Sequence, residues 1–440
     1  MCSSRKKSVA KRKFVMLEFN ELNLSYVERY IQKGELPTFA RLLREHGFRK
    51  TSSEVNNDEV EPWIQWVTVH SGKRFSEHGV YRLGDIAQNR VEQIWEVLEA
   101  RGLTVGAFSP MNAHNALKRA AFFVPDPWTP TSVSGSWLLR RFHQAICQGV
   151  QDNAVGRLTP GSVLMLLVGL AVYGGKLQAL QYVRLALGSR RYLWRRALFL
   201  DRMLADSFLS LWRRTQPDFS SLFLNGVAHI QHHYLFSAGV YEGSQRNPSW
   251  YVEAGQDPVL ESYRLYDQIL AQCLRLKDSP RVLVATALHQ QPMPEPVFYW
   301  RVRDPAEFLR SMQIRFLRVE PRMSRDFLVV FENREDAAKA ETILGSGRDA
   351  AGHPLFEVDN RGESLFVTLS YPLEIFPAFR ASFDNRVVDD MHSQVVFVAL
   401  KNAHHDGIGF LMDSDLQDDP GLPPIPLNNV RDRIVSHFPA

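Results

Sequence analysis

The chain has 440 residues, 45% of them apolar, which is ample for a buried core and fits one large α/β domain with insertions better than several average domains. Its net charge of +4 is set against six basic residues ahead of the first strand, Arg5, Lys6, Lys7, Lys11, Arg12 and Lys13. The remainder is close to neutral, so no nucleic-acid partner is implied.

That basic tail, 1–13, lacks the apolar stretch of a secretory signal. The three cysteines, Cys2, Cys147 and Cys273, are unevenly spaced and form neither a disulfide framework nor a zinc-knuckle spacing. The cytoplasm, or the inner face of its membrane, is the expected location.

The first part of the core, 14–134, opens on the apolar run FVMLEF, followed by Asn20 and Glu21 and a helix pattern, LSYVERYIQKGELPTFARLLREHG, closed by Gly47. The segment Glu61–Gly79, EPWIQWVTVHSGKRFSEHG, comes next, and then helix 91–102, strand 103–109 and a loop of Pro110, Met111 and Asn112. Strand and helix alternate, which predicts an α/β fold with a mostly parallel sheet flanked by helices.

Residues 135–215 read as a helical, basic insertion, with twelve Arg or Lys against three Asp. Its most apolar run, 162–175, falls short of the ~20 residues of a membrane span. Two readings remain open for it: a buried cap helix, or a surface element resting on anionic lipid, with arginines flanking apolar faces that contain Trp194, Leu198, Phe199 and Trp212.

The sheet pattern resumes in the second core part, 216–296, with strands at 218–226 and 281–287. It returns in the third part, 385–440, with a strand at 394–400. Between them, 297–384 reads as a small α+β cap. Each of these three strands runs straight into histidine, at 229–233, 289 and 404–405.

Ligands far apart in sequence converge at the carboxyl ends of parallel strands. Neutral imidazoles there suit Zn, Mn or Fe, and a strand-end carboxylate adds a hard oxygen. In HIQHH, His229 and His233 are one helical turn apart and share a face, so they could serve a metal in place of His232, and His405 could replace His404.

These residues resemble the alkaline phosphatase superfamily, in particular its type I phosphodiesterase/nucleotide pyrophosphatase branch. In that branch an apolar strand ends in an acidic ligand, a helix containing LPNLARL follows, and TG-(five residues)-HG comes after the nucleophile. Here ELPTFARLLREHG and the spacing from Ser71-Gly72 to His78-Gly79 are similar. NGVAHIQHHYLF resembles the D-(three residues)-H segment, VATALHQQP the SDHG strand end, NAHHDGIGFLM the last H-x-P-D-G loop, and IPLNNVRDRIVSHF the closing helix. The likeness covers about 1–125, 216–296 and 385–440.

The resemblance implies a dinuclear site that hydrolyses phosphate esters through a Thr or Ser nucleophile. Carried over by position, Glu18 stands for the first aspartate ligand, and His232, His289 and His404 for the three histidines. Ala228 and Leu288 occupy two aspartate positions, and the nucleophile position falls on Glu61 or Pro62, neither with a hydroxyl.

Two close divalent ions need several carboxylates to offset their repulsion, so one ion, Zn with Mn or Fe as alternatives, fits this residue set better than two. Its expected ligands are Glu18, Glu61, His232, His289 and His404, with His229 able to stand in for a missing aspartate. Glu61 or Glu21 would serve as base to metal-activated water. Asn20 and Asn112 could donate to a phosphoryl oxygen or hold turns, and Trp63 and Trp66 could wall a pocket or pack in the core.

The expected substrate is anionic: a phosphodiester or a related phosphorylated or sulfated compound, small or linked to lipid or glycan. The rival readings are a catalytically degenerate binding protein of the same fold and different chemistry at a His/Glu-bound metal.

Overall fold

The computed structural model describes residues 12–54, 60–151, 158–175, 179–321, 325–384 and 386–438. Most of the basic tail, with Cys2, lies outside them. The described chain divides into two compact units, one of 1–244, 252–292 and 403–440, the other of 245–251 and 293–402.

The strands of the first unit are, in chain order, β1 (Phe14–Phe19), β2 (Arg49–Ser52), β3 (Val105–Phe108), β4 (Phe122–Val124), β5 (Phe219–Leu224) and β6 (Arg281–Ala285). The chain passes to the second unit along β7 (His289–Val302). There it forms β8 (Arg318–Pro321), β9 (Asp326–Val330), β10 (Phe356–Asn360), β11 (Ser364–Leu369), β12 (Ala381–Phe383) and β13 (Arg386–Val388). It returns along β14 (Val395–Asp406) and ends with β15 (Ile408–Asp413) and β16 (Ile425–Pro426).

An eight-stranded sheet in the order β16-β2-β15-β6-β1-β5-β3-β4 carries the first unit. β1 pairs in parallel with β5 and β6, and β3 with β5 and β4, so the expected mostly parallel α/β sheet is present. Every residue of β1 and β5 is buried, as the unbroken apolar runs of a sheet covered on both faces require. Phe14 and Met16 pack with Trp66, Trp95 and Phe438 on one face. On the other, Phe19 meets Phe39 and Tyr266.

The third strand expected in this sheet, 394–400, is not part of it. β14 pairs with β7 in a two-stranded sheet, and the neighbour of β6 is β15, running antiparallel. Burial distinguishes the two strands: four of the twelve residues of β14 are buried, against five of the six of β15. Gly409 permits the close fit, because a Cβ there would lie 2.4 Å from the Ala287 carbonyl oxygen.

The helix pattern after β1 is two helices, Leu24–Gln32 and Pro37–His46. Leu36 adopts the left-handed conformation at φ 54° and Pro37 opens the second helix, where its missing N–H costs nothing. Asp267 accepts from the free N–H groups of Thr38 and Phe39 at 2.9 and 2.8 Å.

Glu61–Gly79 is helix Pro62–Ser71 followed by the single turn Phe75–His78. Gly79 takes the positive φ, 61°, that closes the turn. His78 Nδ1 accepts from Val80 N at 3.1 Å, and Nε2 lies 3.2 Å from Thr68 Oγ1. Burial pushes this imidazole down to about 4, so the folded protein stays unprotonated there while the unfolded chain takes up a proton below its ordinary 6.5. Stability is therefore lost as the pH falls from 6.5 towards 4, by about 2 kcal/mol after allowance for solvent screening. His78→Asn should lack this component, so the wild type's advantage in urea unfolding should shrink by that amount between about pH 7.5 and pH 4.5. A constant difference would show that His78 does not titrate this way.

The insertion 135–215 is helical where described: Trp137–Gln151, Pro160–Tyr173, Ala179–Gly188 and Arg195–Thr215. It falls within the first unit. No helix among the described residues is long and apolar enough to cross a membrane. The expected α+β segment lies within the second unit, whose antiparallel sheet β10-β11-β9-β8 has its own core of Phe308, Phe327, Val329, Leu344, Leu365 and Val367.

Candidate metal centre

At the carboxyl ends of the parallel strands, the backbone past β1 is fixed between its neighbours. Asn20 N donates to Leu224 O and Glu21 N to Thr286 O, each at 3.2 Å. Glu21 sits at φ 59°, a strained left-handed position for a residue with a side chain. β5 runs into helix Gly226–Tyr234, which carries His232, and β14 ends at His405 and Asp406.

These three elements bring Glu21, His232 and His405 together. Glu21 Oε2 lies 3.2 Å from His232 Nε2 and 3.2 Å from His405 Nε2, and the two nitrogens are 3.1 Å apart. Ligand atoms at 2.0–2.1 Å from a tetrahedral Zn are separated by about 3.3 Å. The triangle therefore fits three corners of such a shell. Glu21 is only 2% exposed, while the histidine side chains are 24% and 18% exposed, so solvent reaches the two rings. Two neutral imidazoles and one carboxylate is a donor set of catalytic zinc.

Surrounding groups fix each ligand. Asn20 Nδ2 donates to Glu21 Oε1 at 2.8 Å, and Trp66 Nε1 orients that amide by donating to Asn20 Oδ1 at 2.7 Å. Gln290 Nε2 donates to Glu21 Oε2, and Gln231 Nε2 to the Glu21 carbonyl at 2.7 Å. His232 Nδ1 faces the Ala403 carbonyl at 3.4 Å, which sets the tautomer whose Nε2 lone pair is free. His405 Nδ1 lies 3.5 Å from Glu61 Oε2, the arrangement of a carboxylate behind an imidazole that could hold a metal. Burial pushes the Glu21 carboxyl up, but His405 and His232 more than offset it, and the group lies well below the usual carboxylate range.

The other sequence-derived ligands lie elsewhere. Glu18 is in β1, and the two-residue period of a strand turns it into the helix layer with Phe14 and Met16. There its Oε2 meets His70 Nε2 at 3.0 Å, both side chains wholly buried. His289 uses Nδ1 on the Ile408 carbonyl at 2.6 Å and Nε2 on Gln291 at 2.7 Å, so neither nitrogen is free for an ion. His404 is exposed, since the same alternation along β14 sends it away from its neighbour His405. His229 is exposed, with its ring 4.8 Å from that of His233.

Asn112 is buried with its amide already engaged: Oδ1 accepts from Gly84 N at 2.9 Å, and Nδ2 donates to the carbonyls of Trp63 and Arg82. The Trp63 indole donates to Tyr81 O at 3.1 Å. Thr68 and Ser71 are buried in their helix and bond back to the carbonyls of Ile64 and Val67. The position of Glu21 beside His232, with Gln290 and Trp66 around it, was not legible in the sequence, which offered His405 only as an alternative to His404.

No family model matches the chain, and no curated protein matches it. Among solved structures, phosphonoacetate hydrolase from Sinorhizobium meliloti 1021, in complex with phosphonoacetate, is 11% identical over 97% of this chain and 96% of its own, with a TM-score of 0.46. Murine ectonucleotide pyrophosphatase/phosphodiesterase 5 is 11% identical over 97% and 94%, with a TM-score of 0.40. The human protein of that name is 9% identical over the same shares, at 0.42. At this identity the likeness assigns no activity, and any activity rests on the chain's own side chains.

Proposed function

We infer that the protein is a hydrolase of anionic esters, a phosphodiester or a related phosphorylated or sulfated compound, dependent on one divalent ion held by Glu21, His232 and His405. The observation that carries this reading is the triangle of their three side-chain atoms, with sides of 3.1–3.2 Å. When bound, Zn, or Mn or Fe in its place, would supply Lewis acidity and acidify water.

The chain's own groups divide the remaining work. Glu21 is buried and both its oxygens accept hydrogen bonds, Oε1 from Asn20 and Oε2 from Gln290, so in this reading it acts as a ligand and not as the base. Glu61, half-buried behind His405, holds the His405 ring through Nδ1 and is, in this reading, the carboxylate that takes up a proton. One carboxylate among neutral imidazoles leaves a divalent site with net positive charge, which favours an anionic substrate. Asn20, whose amide is committed to Glu21 and Asn225, orients the ligand set. Cys147 and Cys273 are free thiols, in keeping with a reducing cytoplasm as the place of action.

Purified protein should contain about one equivalent of Zn, Mn or Fe by elemental analysis and hydrolyse bis(p-nitrophenyl) phosphate or an aryl sulfate. Chelation should remove metal and activity together, and re-addition should restore both. Metal-free protein with chelator-insensitive turnover would refute the reading. Bound metal without turnover of any ester would favour the rival reading of a binding protein, which the lack of a hydroxyl at Glu61-Pro62 motivates.

A further inference from the structure

The helix Pro160–Tyr173 contains no charged residue and is apolar on every side, yet only Gly169 and Tyr173 are buried. A helix of that composition is normally enclosed by protein or lipid. Leu164 and Leu167 are more than half exposed, and Val163 and Val172 are exposed beside them. On the helix Ala179–Gly188, Leu180, Val183 and Leu187 form an exposed stripe at positions i, i+3 and i+7, and only Leu185 is buried. Each helix thus leaves a stripe of apolar side chains uncovered, the kind of surface that marks an interaction site.

Charge identifies the partner. Arg140, Arg141, Arg184, Arg190, Arg196 and Arg213 are exposed, and none is in an ion pair among the described residues. The described carboxylates of 135–215, Asp201 and Asp206, are both buried. Helices Trp137–Gln151 and Pro160–Tyr173 also border an open groove of about 1120 Å3, lined by Trp137, Arg140, Arg141, Leu164 and Met165 among others. The Arg141 guanidinium lies 5.7 Å from the Trp137 ring centroid, a pairing of aromatic and cation suited to a headgroup layer. A second copy of the same surface would bring like charges together, which disfavours a symmetric dimer through it.

We propose that the helices Pro160–Tyr173 and Ala179–Gly188 dock on an anionic phospholipid bilayer, their leucines entering the acyl boundary and the unpaired arginines contacting headgroup phosphates. The surface lies in the first unit and does not depend on the metal centre being active. Apolar insertion and headgroup attraction act together in such contacts, so both kinds of residue are required.

The test mixes full-length protein with phosphatidylcholine vesicles, with and without phosphatidylglycerol, and pellets them. The protein should sediment with the phosphatidylglycerol vesicles and be released by high salt. Replacing Val163, Leu164 and Leu167 together by Ser should lower partitioning at least about tenfold. Arg184→Gln, Arg190→Gln and Arg196→Gln, at roughly fivefold each, should together lower it about a hundredfold. All six side chains are exposed, so the melting temperature should hold. If a variant misfolds, quenching of Trp137 by brominated acyl chains, read against Trp137→Phe, decides the matter, and its presence supports the proposal. Wild type that remains in the supernatant overturns it, as does a serine variant that sediments undiminished. A wild-type dimer that the serine variant dissociates also overturns it, since the face would then bind protein.

Discussion

His405→Ala is expected to weaken binding of a divalent ion by at least about a hundredfold and to abolish ester hydrolysis, whereas His404→Ala, one residue away, leaves both within about twofold. The two differ because β14 alternates: Nε2 of His405 lies 3.2 Å from Glu21 and 3.1 Å from His232, while His404 is exposed. Loss of His405 removes one of three ligands and with it the contact to Glu61. Glu61→Gln keeps the ligands and should cost about tenfold in affinity, as for a partner behind an imidazole. Competition with a fluorescent chelator measures all three. Equal losses for His404→Ala and His405→Ala would remove the basis of the assigned centre.

The second large effect is on stability. His70→Ala should destabilise the first unit by about 3–5 kcal/mol, because Glu18 would keep its burial and lose its partner. Both side chains are wholly buried with Oε2 and Nε2 3.0 Å apart, and the His70 ring lies between Trp66 and Trp95, at 5.7 and 4.6 Å. Glu18 Oε1 and His70 Nδ1 have no partner among the described residues, so the pair is incompletely satisfied. Replacing both at once, Glu18→Met with His70→Phe, should recover most of the loss, since apolar groups of similar volume remove the desolvation cost with the pair. Urea unfolding of the single and double variants measures the coupling. A His70→Ala protein within 1 kcal/mol of wild type would show that the pair contributes little. The single and double variants should retain the metal, which separates this pair from the centre that Glu18 was expected to join.

The helix 24–47 shows how a local signal can be read correctly in kind and wrongly in extent. Its apolar period continues across Gly34–Pro37, but Leu36 turns left-handed and Pro37 begins a new helix. Similarly, the apolar run at 394–400 marks a strand but not its sheet, and β15, which begins only two residues beyond β14, takes the place beside β6. At the centre, Glu18 was the natural choice as the strand-end carboxylate. The strand does not end there, and its period buries Glu18, while Glu21 reaches the site from a turn whose positive φ no local pattern announces.

The amino-acid sequence by itself determined the α/β order of elements and the supply of histidine and glutamate beyond strand ends, because period and burial are properties of neighbouring residues. Only the tertiary structure decided that Glu21, His232 and His405, and not Glu18, His289 and His404, converge. Convergence depends on which strands become neighbours and on the direction each side chain leaves the backbone, and the order β6-β1-β5 joins segments remote along the chain.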